Sequence, residues 1–425
     1  MAAPTRAACA ALDAADKLAP LRAQFELPPG IIYLDGNSLG ALPRAALSRV
    51  TQVVAREWGD DLIQSWNKAG WIDQPQRVGD KIARLIGAAP GEVVAVDSTS
   101  INLYKVLSVA LALCRADTPA RKVIVSERDN FPTDLYIAES LAAQQGFELR
   151  LVAQEEITAH CNDSLAVLLL THVNYRTGSM HAMADITARA HEAGARVIWD
   201  LAHSAGAVPV ALKAVGADFA VGCGYKYLNG GPGAPAFLWV HPNHAARMDQ
   251  QRLWQPLSGW LGHAAPFEFS PGYRPAQGVS RFVCGTPSPL ALSVLECGID
   301  TVLAAEPFGG IEALRAKSLA LTDLFITLVE QRCDGHGLTL QTPREPARRG
   351  SQVSFLRHEG AYAIVQALIA RGVVGDFRAP GILRFGFTPL YLRFTDMWDA
   401  ADILLDVLQS RVWQHDRFNQ RATVT

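Results

Sequence analysis

The sequence predicts an α/β protein: a mostly parallel central sheet with helices on both faces, followed by a smaller α+β C-terminal domain. From about residue 43, apolar runs of strand length alternate with helical patterns, as in a sheet built from β-α-β crossovers. Most of these runs lack polar alternation, the mark of strands covered on both faces. After about residue 305 the pattern changes, and a long amphipathic stretch precedes short strands and further helices. The resulting division is an N-terminal segment, 1–42, packing with the small domain, a large domain, 43–305, and the small domain, 306–425.

Taken in order, residues 7–17 read as a short helix, because Asp13, Asp16 and Lys17 interrupt the alanine-rich run and deny it the apolar core of a signal peptide. Strands are expected at 92–96, 122–126, 149–153, 165–171, 196–200, 219–222 and 236–240. Between the fourth and fifth, 184–193 has helical spacing and stops at Gly194, giving a crossover helix. Beyond 305 follow a helix at 311–331, a strand at 353–356, a helix at 361–371 and a strand at 382–387. The stretch 342–350, rich in proline and charge, reads as a solvated loop.

With 425 residues, 49% of them hydrophobic, the chain can bury a large core. A net charge of −2 supplies neither a basic face for nucleic acid nor a polybasic membrane patch, and no apolar run is long enough to span a bilayer. The seven cysteines are scattered and form no Cys-x-x-Cys pair, so no metal is expected and a reducing cytoplasm fits. Small-molecule chemistry is the better expectation.

Two residues give that chemistry a form. Lys226 follows the apolar run 219–222 and precedes the glycine-rich stretch 229–233, while Asp200 ends another apolar run. Alone, such a lysine is usually a snorkelling surface residue and such an aspartate a turn or cap. Together they suggest pyridoxal phosphate, which needs a lysine for its Schiff base and an acid to keep its ring nitrogen protonated. In open α/β sheets ligands collect beyond the carboxyl ends of the strands, where Thr171, Asp200 and Lys226 all emerge.

Other segments supply compatible parts, each with a plainer reading. Ser98, Thr99 and Ser100 open a helix and could hold a phosphate, or could be ordinary caps. Tyr225 could bond the same phosphate or pack. Phe131 and Asp134 could face a pyridine ring or simply form a turn, and His203 could position the ring or be structural. Arg384 lies in a short apolar strand, where it wants either a ligand carboxylate or a structural salt bridge; Arg378 and Arg393 compete for the first role.

The segments 33–40 (YLDGNSLG), 131–134 (FPTD), 200–203 (DLAH), 225–229 (YKYLN), 259–263 (GWLGH) and 384–391, ending in Pro389-Leu390-Tyr391, span nearly the whole chain, and with them it resembles the kynureninases, fold-type-I pyridoxal phosphate enzymes. The resemblance implies that Lys226 is the Schiff-base lysine, Asp200 the partner of the pyridine nitrogen and Phe131 the ring's stacking partner. It implies phosphate ligands at Thr99, Ser100 and Tyr225, and ring contacts at Asp134, Thr171 and His203. Trp260 and Thr286 match cofactor contacts contributed by a neighbouring subunit, so a homodimer is implied. Arg384 matches the receptor of the substrate α-carboxylate, with Asn37 and Trp66 in segments that border the substrate. The implied reaction is hydrolysis of L-kynurenine to anthranilate and L-alanine, with Tyr225 a candidate for proton transfer and 3-hydroxykynurenine a secondary substrate. Tryptophan catabolism, the kynurenine route towards NAD, is the implied setting. A class V aminotransferase or cysteine desulfurase would share Asp200, Lys226 and the phosphate loop, and an inactive ligand sensor on the same fold is the non-enzymatic alternative.

Overall fold

Seven strands form the central sheet of the computed structural model, which describes residues 4–421. They are β1 (Val93–Ala95), β2 (Val123–Glu127), β3 (Glu148–Val152), β4 (Leu165–Thr171), β5 (Arg196–Asp200), β6 (Phe219–Gly222) and β7 (Phe237–Val240). Their spatial order is β1-β7-β6-β5-β4-β2-β3. Only β7 runs antiparallel to its neighbours. β1 is therefore parallel to the rest, and its carboxyl end opens on the same edge as those of β4, β5 and β6.

Every strand except the edge strand β3 is buried along its length. Alternate residues serve two separate cores. Val167, Leu169, Ile198 and Val221 pack under the helices Thr99–Asp117 and Pro132–Gln145, whereas Leu168, Leu170, Trp199 and Ala220 join the other face, with Met183 and Ala190 of the helix Met183–Glu192. Apolar residues at every position are what such double coverage demands. The helix Pro132–Gln145 opens on proline and stops at Gly146, whose φ of 70° suits the left-handed cap.

A second, antiparallel sheet comprises β8 (Thr339–Leu340), β9 (Gln352–Leu356), β10 (Asp376–Arg378) and β11 (Ile382–Gly386), in the order β8-β9-β11-β10. The helices Gly310–Arg332 and Ala361–Ile369 pack on it, and Phe394–Ser410 packs on both of these helices. N-terminal residues come to the same place. The helix Arg6–Ala15 lies against Phe394–Ser410, where Asp13 accepts hydrogen bonds from the backbone N–H of Phe394 (2.6 Å) and Thr395 (3.1 Å). Ile32–Tyr33 pairs with Val373–Val374, and Asp35 bridges to Gly386 at the end of β11.

One sequence expectation fails here. The stretch 342–350 is not simply a solvated loop: Arg349 is fully buried, its guanidinium paired with Asp323 and bonded to the Arg344 carbonyl, and Thr342 is buried as well. Prolines and charges gave the segment a loop's composition, but the arginine is spent on internal carbonyl and carboxylate groups. Among the described residues, no helix is long and apolar enough to cross a membrane.

Candidate active site

The carboxyl ends of β1, β4, β5 and β6 surround one cavity that opens to solvent. Thr99, Ser100, Phe131, Asp134, Thr171, Asp200, His203, Tyr225 and Lys226 all line it, so nine of the positions singled out in the sequence converge. Local chemistry explains each placement. Thr171 and Asp200 are the last residues of β4 and β5, and Lys226 lies in the loop after β6. That loop is closed by Gly230 N–H bonding to the Gly224 carbonyl at 2.9 Å.

The floor of the cavity is rich in acceptors and poor in donors. Asp134 and Asp200 are both buried and share the hydroxyl of Thr171, each at 3.4 Å, while that hydroxyl also meets Asn130 Oδ1. Asp200 Oδ1 takes a further bond from the backbone N–H of Ala202 at 2.8 Å. Burial, and then the neighbouring Asp200 charge, push Asp134 well above the usual carboxylate range; burial raises Asp200 too, opposed by Lys226 and the Ala202 N–H. Asp200, which accepts from the Ala202 N–H and faces the Lys226 charge, is the better-stabilised anion of the pair. A protonated ring nitrogen is the kind of donor this floor lacks.

Lys226 Nζ lies 3.0 Å from His203 Nε2. Burial, followed by the Lys226 charge, holds His203 well below its ordinary value, so the imidazole is neutral. With Nε2 accepting from the lysine, the proton sits on Nδ1, which is buried and has no partner within the protein. An orphaned donor of this kind is costly unless a ligand oxygen meets it. On the wall, Phe131 keeps 43% of its surface exposed and meets Tyr175 edge-on at 5.4 Å, leaving a ring face open.

At the far end, Ser98 caps the helix Thr99–Asp117, so Thr99 and Ser100 occupy its first turn with backbone N–H groups that no helical carbonyl satisfies. That is a suitable phosphate cradle. Burial, then Cys223 and Asp200, raise the Tyr225 phenol, so it remains protonated at neutral pH. Its ring lies 5.7 Å from Lys226 Nζ. The residues present fit pyridoxal phosphate in their donor set, their acid pair and their lysine.

Arg384 is not an unpaired guanidinium. It is buried in β11, paired with Asp376, bonded to Ser38 and to the Tyr175 carbonyl at 2.8 Å. Arg378 is more exposed and shares Asp376 at 2.7 Å, while Arg393 caps a distant helix through Asp396. Asn37 is fully buried; with its amide turned, it accepts from Arg384 Nε at 3.2 Å and donates to Asp35 at 3.2 Å. Neither Arg384 nor Asn37 lines the cavity itself, and three further predicted positions stand apart from it. Thr286 lines a neighbouring cavity, Trp260 is 40% exposed against Phe267, and Trp66 packs edge-on to Trp71 at 5.9 Å. Asp35, Tyr175 and Asp376 were not singled out in the sequence, where nothing marks them as meeting Arg384.

The sequence profile of the kynureninase C-terminal domain matches residues 314–404. A kynureninase of Pseudomonas fluorescens is 57% identical over 424 residues, 99% of this chain and 100% of the relative. A kynureninase of Burkholderia pseudomallei is 55% identical over the same shares. Among solved structures, an apo cysteine desulfurase from Thermococcus onnurineus NA1 superposes with a TM-score of 0.76 at 18% identity, covering 92% of this chain and 98% of the other. A C-DES variant with glycine covalently linked to the PLP cofactor superposes with a TM-score of 0.77 at 17% identity, covering 90% and 98%. At these identities the structural likeness is one of fold.

Proposed function

The chain belongs to the kynureninase family, and on that premise we propose that it hydrolyses the Cβ–Cγ bond of L-kynurenine, releasing anthranilate and L-alanine. It is a hydrolase acting on carbon–carbon bonds, and its cofactor is pyridoxal phosphate. The observation that carries the reading is the meeting of Lys226 with the buried Asp134–Asp200 pair across one cavity.

When bound, pyridoxal phosphate supplies an electron-withdrawing ring that delocalises charge from a substrate carbon. Asp200, the better anion of the pair, would hold the ring nitrogen's proton, and Asp134 would stay neutral. Lys226 Nζ would carry the cofactor's aldehyde carbon and, once released by the substrate amine, would take the α-proton. His203 Nδ1–H would meet the ring's oxygen substituent, and Phe131 would cover one ring face. Thr99, Ser100 and Tyr225 would hold the phosphate. Arg384, held beside Asn37, would receive the substrate carboxylate. Water would add to the side-chain carbonyl before the carbon–carbon bond breaks, and the protonated Tyr225 phenol, whose ring lies 5.7 Å from Lys226 Nζ, would supply a proton there as the alternative to holding the phosphate.

Trp260 and Thr286, which stand apart from the cavity within one chain, would complete it from a second subunit of a homodimer. Relatives that favour 3-hydroxykynurenine tend to carry His and Asn side chains near the aryl ring; here Ser65-Trp66 and Thr286 stand in those segments. That favours L-kynurenine as the main substrate, a reading that equal specificity constants for the two substrates would remove. Tryptophan catabolism in the cytoplasm is the proposed setting.

A cysteine desulfurase needs an accessible, ionisable thiol. The last cysteine, Cys333, is instead buried at the end of the helix Gly310–Arg332, and burial pushes its thiol up to about 11. An aminotransferase would need a keto acid. The test is therefore purified protein with pyridoxal phosphate and L-kynurenine and no keto acid: anthranilate fluorescence is expected, and its absence would overturn the assignment.

A further inference from the structure

Arg384 has more acid around it than one guanidinium needs. Its Nη2 faces Asp376 directly and lies 3.9 Å from Asp35 Oδ1, with the Ser38 hydroxyl between the two carboxylates. Arg378 reaches Asp376 from the outer side. Tyr33, Tyr227 and Tyr391 also face Asp35, and burial keeps all three phenols protonated, so none adds charge. Two arginines and two aspartates balance. A substrate carboxylate arriving on Arg384 upsets that balance, leaving one negative charge too many in a site largely cut off from water.

We propose that Asp35 takes up one proton when a carboxylate docks on Arg384, while Asp376 stays ionised and fixes the guanidinium; the inference rests on the docking role given to Arg384 above. The division of labour follows from geometry. Asp376 is the more buried acid and grips both arginines, so protonating it would strand two cations. Asp35 stands at the edge of the cluster, its one ion pair among the described residues the 3.9 Å approach of Arg384, and its other partners, the Asn37 amide and the Ser38 hydroxyl, are neutral, so it can yield its charge at less cost. Burial, and then Asp376, already bring Asp35 to about 7, so a third carboxylate would carry it above neutrality. By linkage, the substrate's carboxylate should bind better at lower pH.

The test uses the dimeric holoenzyme and the kynurenine analogue lacking its α-amino group, which presents the carboxylate without reacting. Calorimetric titration in two buffers of different ionisation enthalpy counts protons taken up on binding. Wild-type protein should take up about half a proton near pH ~7, rising towards one near pH ~8, and bind about tenfold more weakly at pH ~8 than at pH ~6. Asp35→Asn should bind tightly at both and take up none. Equal proton uptake in wild type and Asp35→Asn, or none in wild type, would overturn the proposal. The wild-type count stands even if the variant folds poorly. Arg384→Gln separates the two readings: unchanged affinity there would remove the docking role itself, whereas lost affinity with no Asp35-dependent uptake would sink only the proton linkage.

Discussion

At the scale of single residues, the site depends on close approaches that leave no room for change. A Cβ on Gly386 would lie 2.0 Å from the terminal amide of Asn37, and Asn37 lies against Arg384. Gly386→Ala should therefore raise KM for L-kynurenine about tenfold with a smaller effect on kcat, at a stability cost of ~1–3 kcal/mol. Steady-state kinetics with a denaturation curve checks both. Tyr225→Phe removes one proton and little volume. If the phenol donates at the carbonyl, kcat should fall ~100-fold while cofactor affinity changes little; a loss confined to cofactor binding would make it a phosphate ligand alone. Lys226, Asp200 and Thr171 could be read from the chain because strand ends in a parallel sheet share one edge. Asp35 and Asp376 could not, since their partnership with Arg384 is made only when β10 and β11 pair and residues 33–40 fold over them.

At the scale of elements, a carboxylate clasp ties the opposite end of the sheet together. Asp218, just before β6, accepts from His191 at 2.8 Å, His244 at 2.6 Å and the Val197 N–H at 2.8 Å. These join a helix before β5, a helix after β7 and β5 itself. Burial pushes Asp218 up, but the histidine hydrogen bonds more than offset this and hold it far below the usual carboxylate range. Its share of stability is thus complete above an ordinary value of about 4 and is lost only as pH falls through the lower folded value. The Asp218 hydrogen bond raises His191, so that contribution is complete below about 6.5 and fades as pH rises through the folded value. Asp218→Ala should cost ~3 kcal/mol by chemical denaturation at neutral pH, and His191→Ala should flatten the decline in Tm from pH ~6 to ~8. Elements were the most legible level, because uninterrupted apolar runs leave few alternatives to buried strands. The misread stretch 342–350 shows the limit: composition registers Arg349 as polar, while its burial depends on Asp323 in a helix far away in the chain.

At the scale of the whole molecule, residues near the N-terminus hold the second sheet's helices in place. Asp13 caps Phe394–Ser410, Arg6 pairs with Asp399 at 2.7 Å, and the buried Lys317 joins Asp16 at 2.7 Å while donating to the Pro389 carbonyl. Asp13→Ala should destabilise by ~1–2 kcal/mol, measured by denaturant unfolding. The fold class was legible because doubly covered strands betray a parallel sheet, whereas the proposed completion of the site by Trp260 and Thr286 would need a second chain that no periodicity encodes. The proposed chemistry turns on Lys226 as the residue that would carry the cofactor. Borohydride reduction of the holoenzyme, followed by peptide mass mapping, tests it directly: pyridoxyl mass is expected on the peptide containing Lys226 and absent from Lys226→Ala, and label on another lysine, or on none, would contradict it.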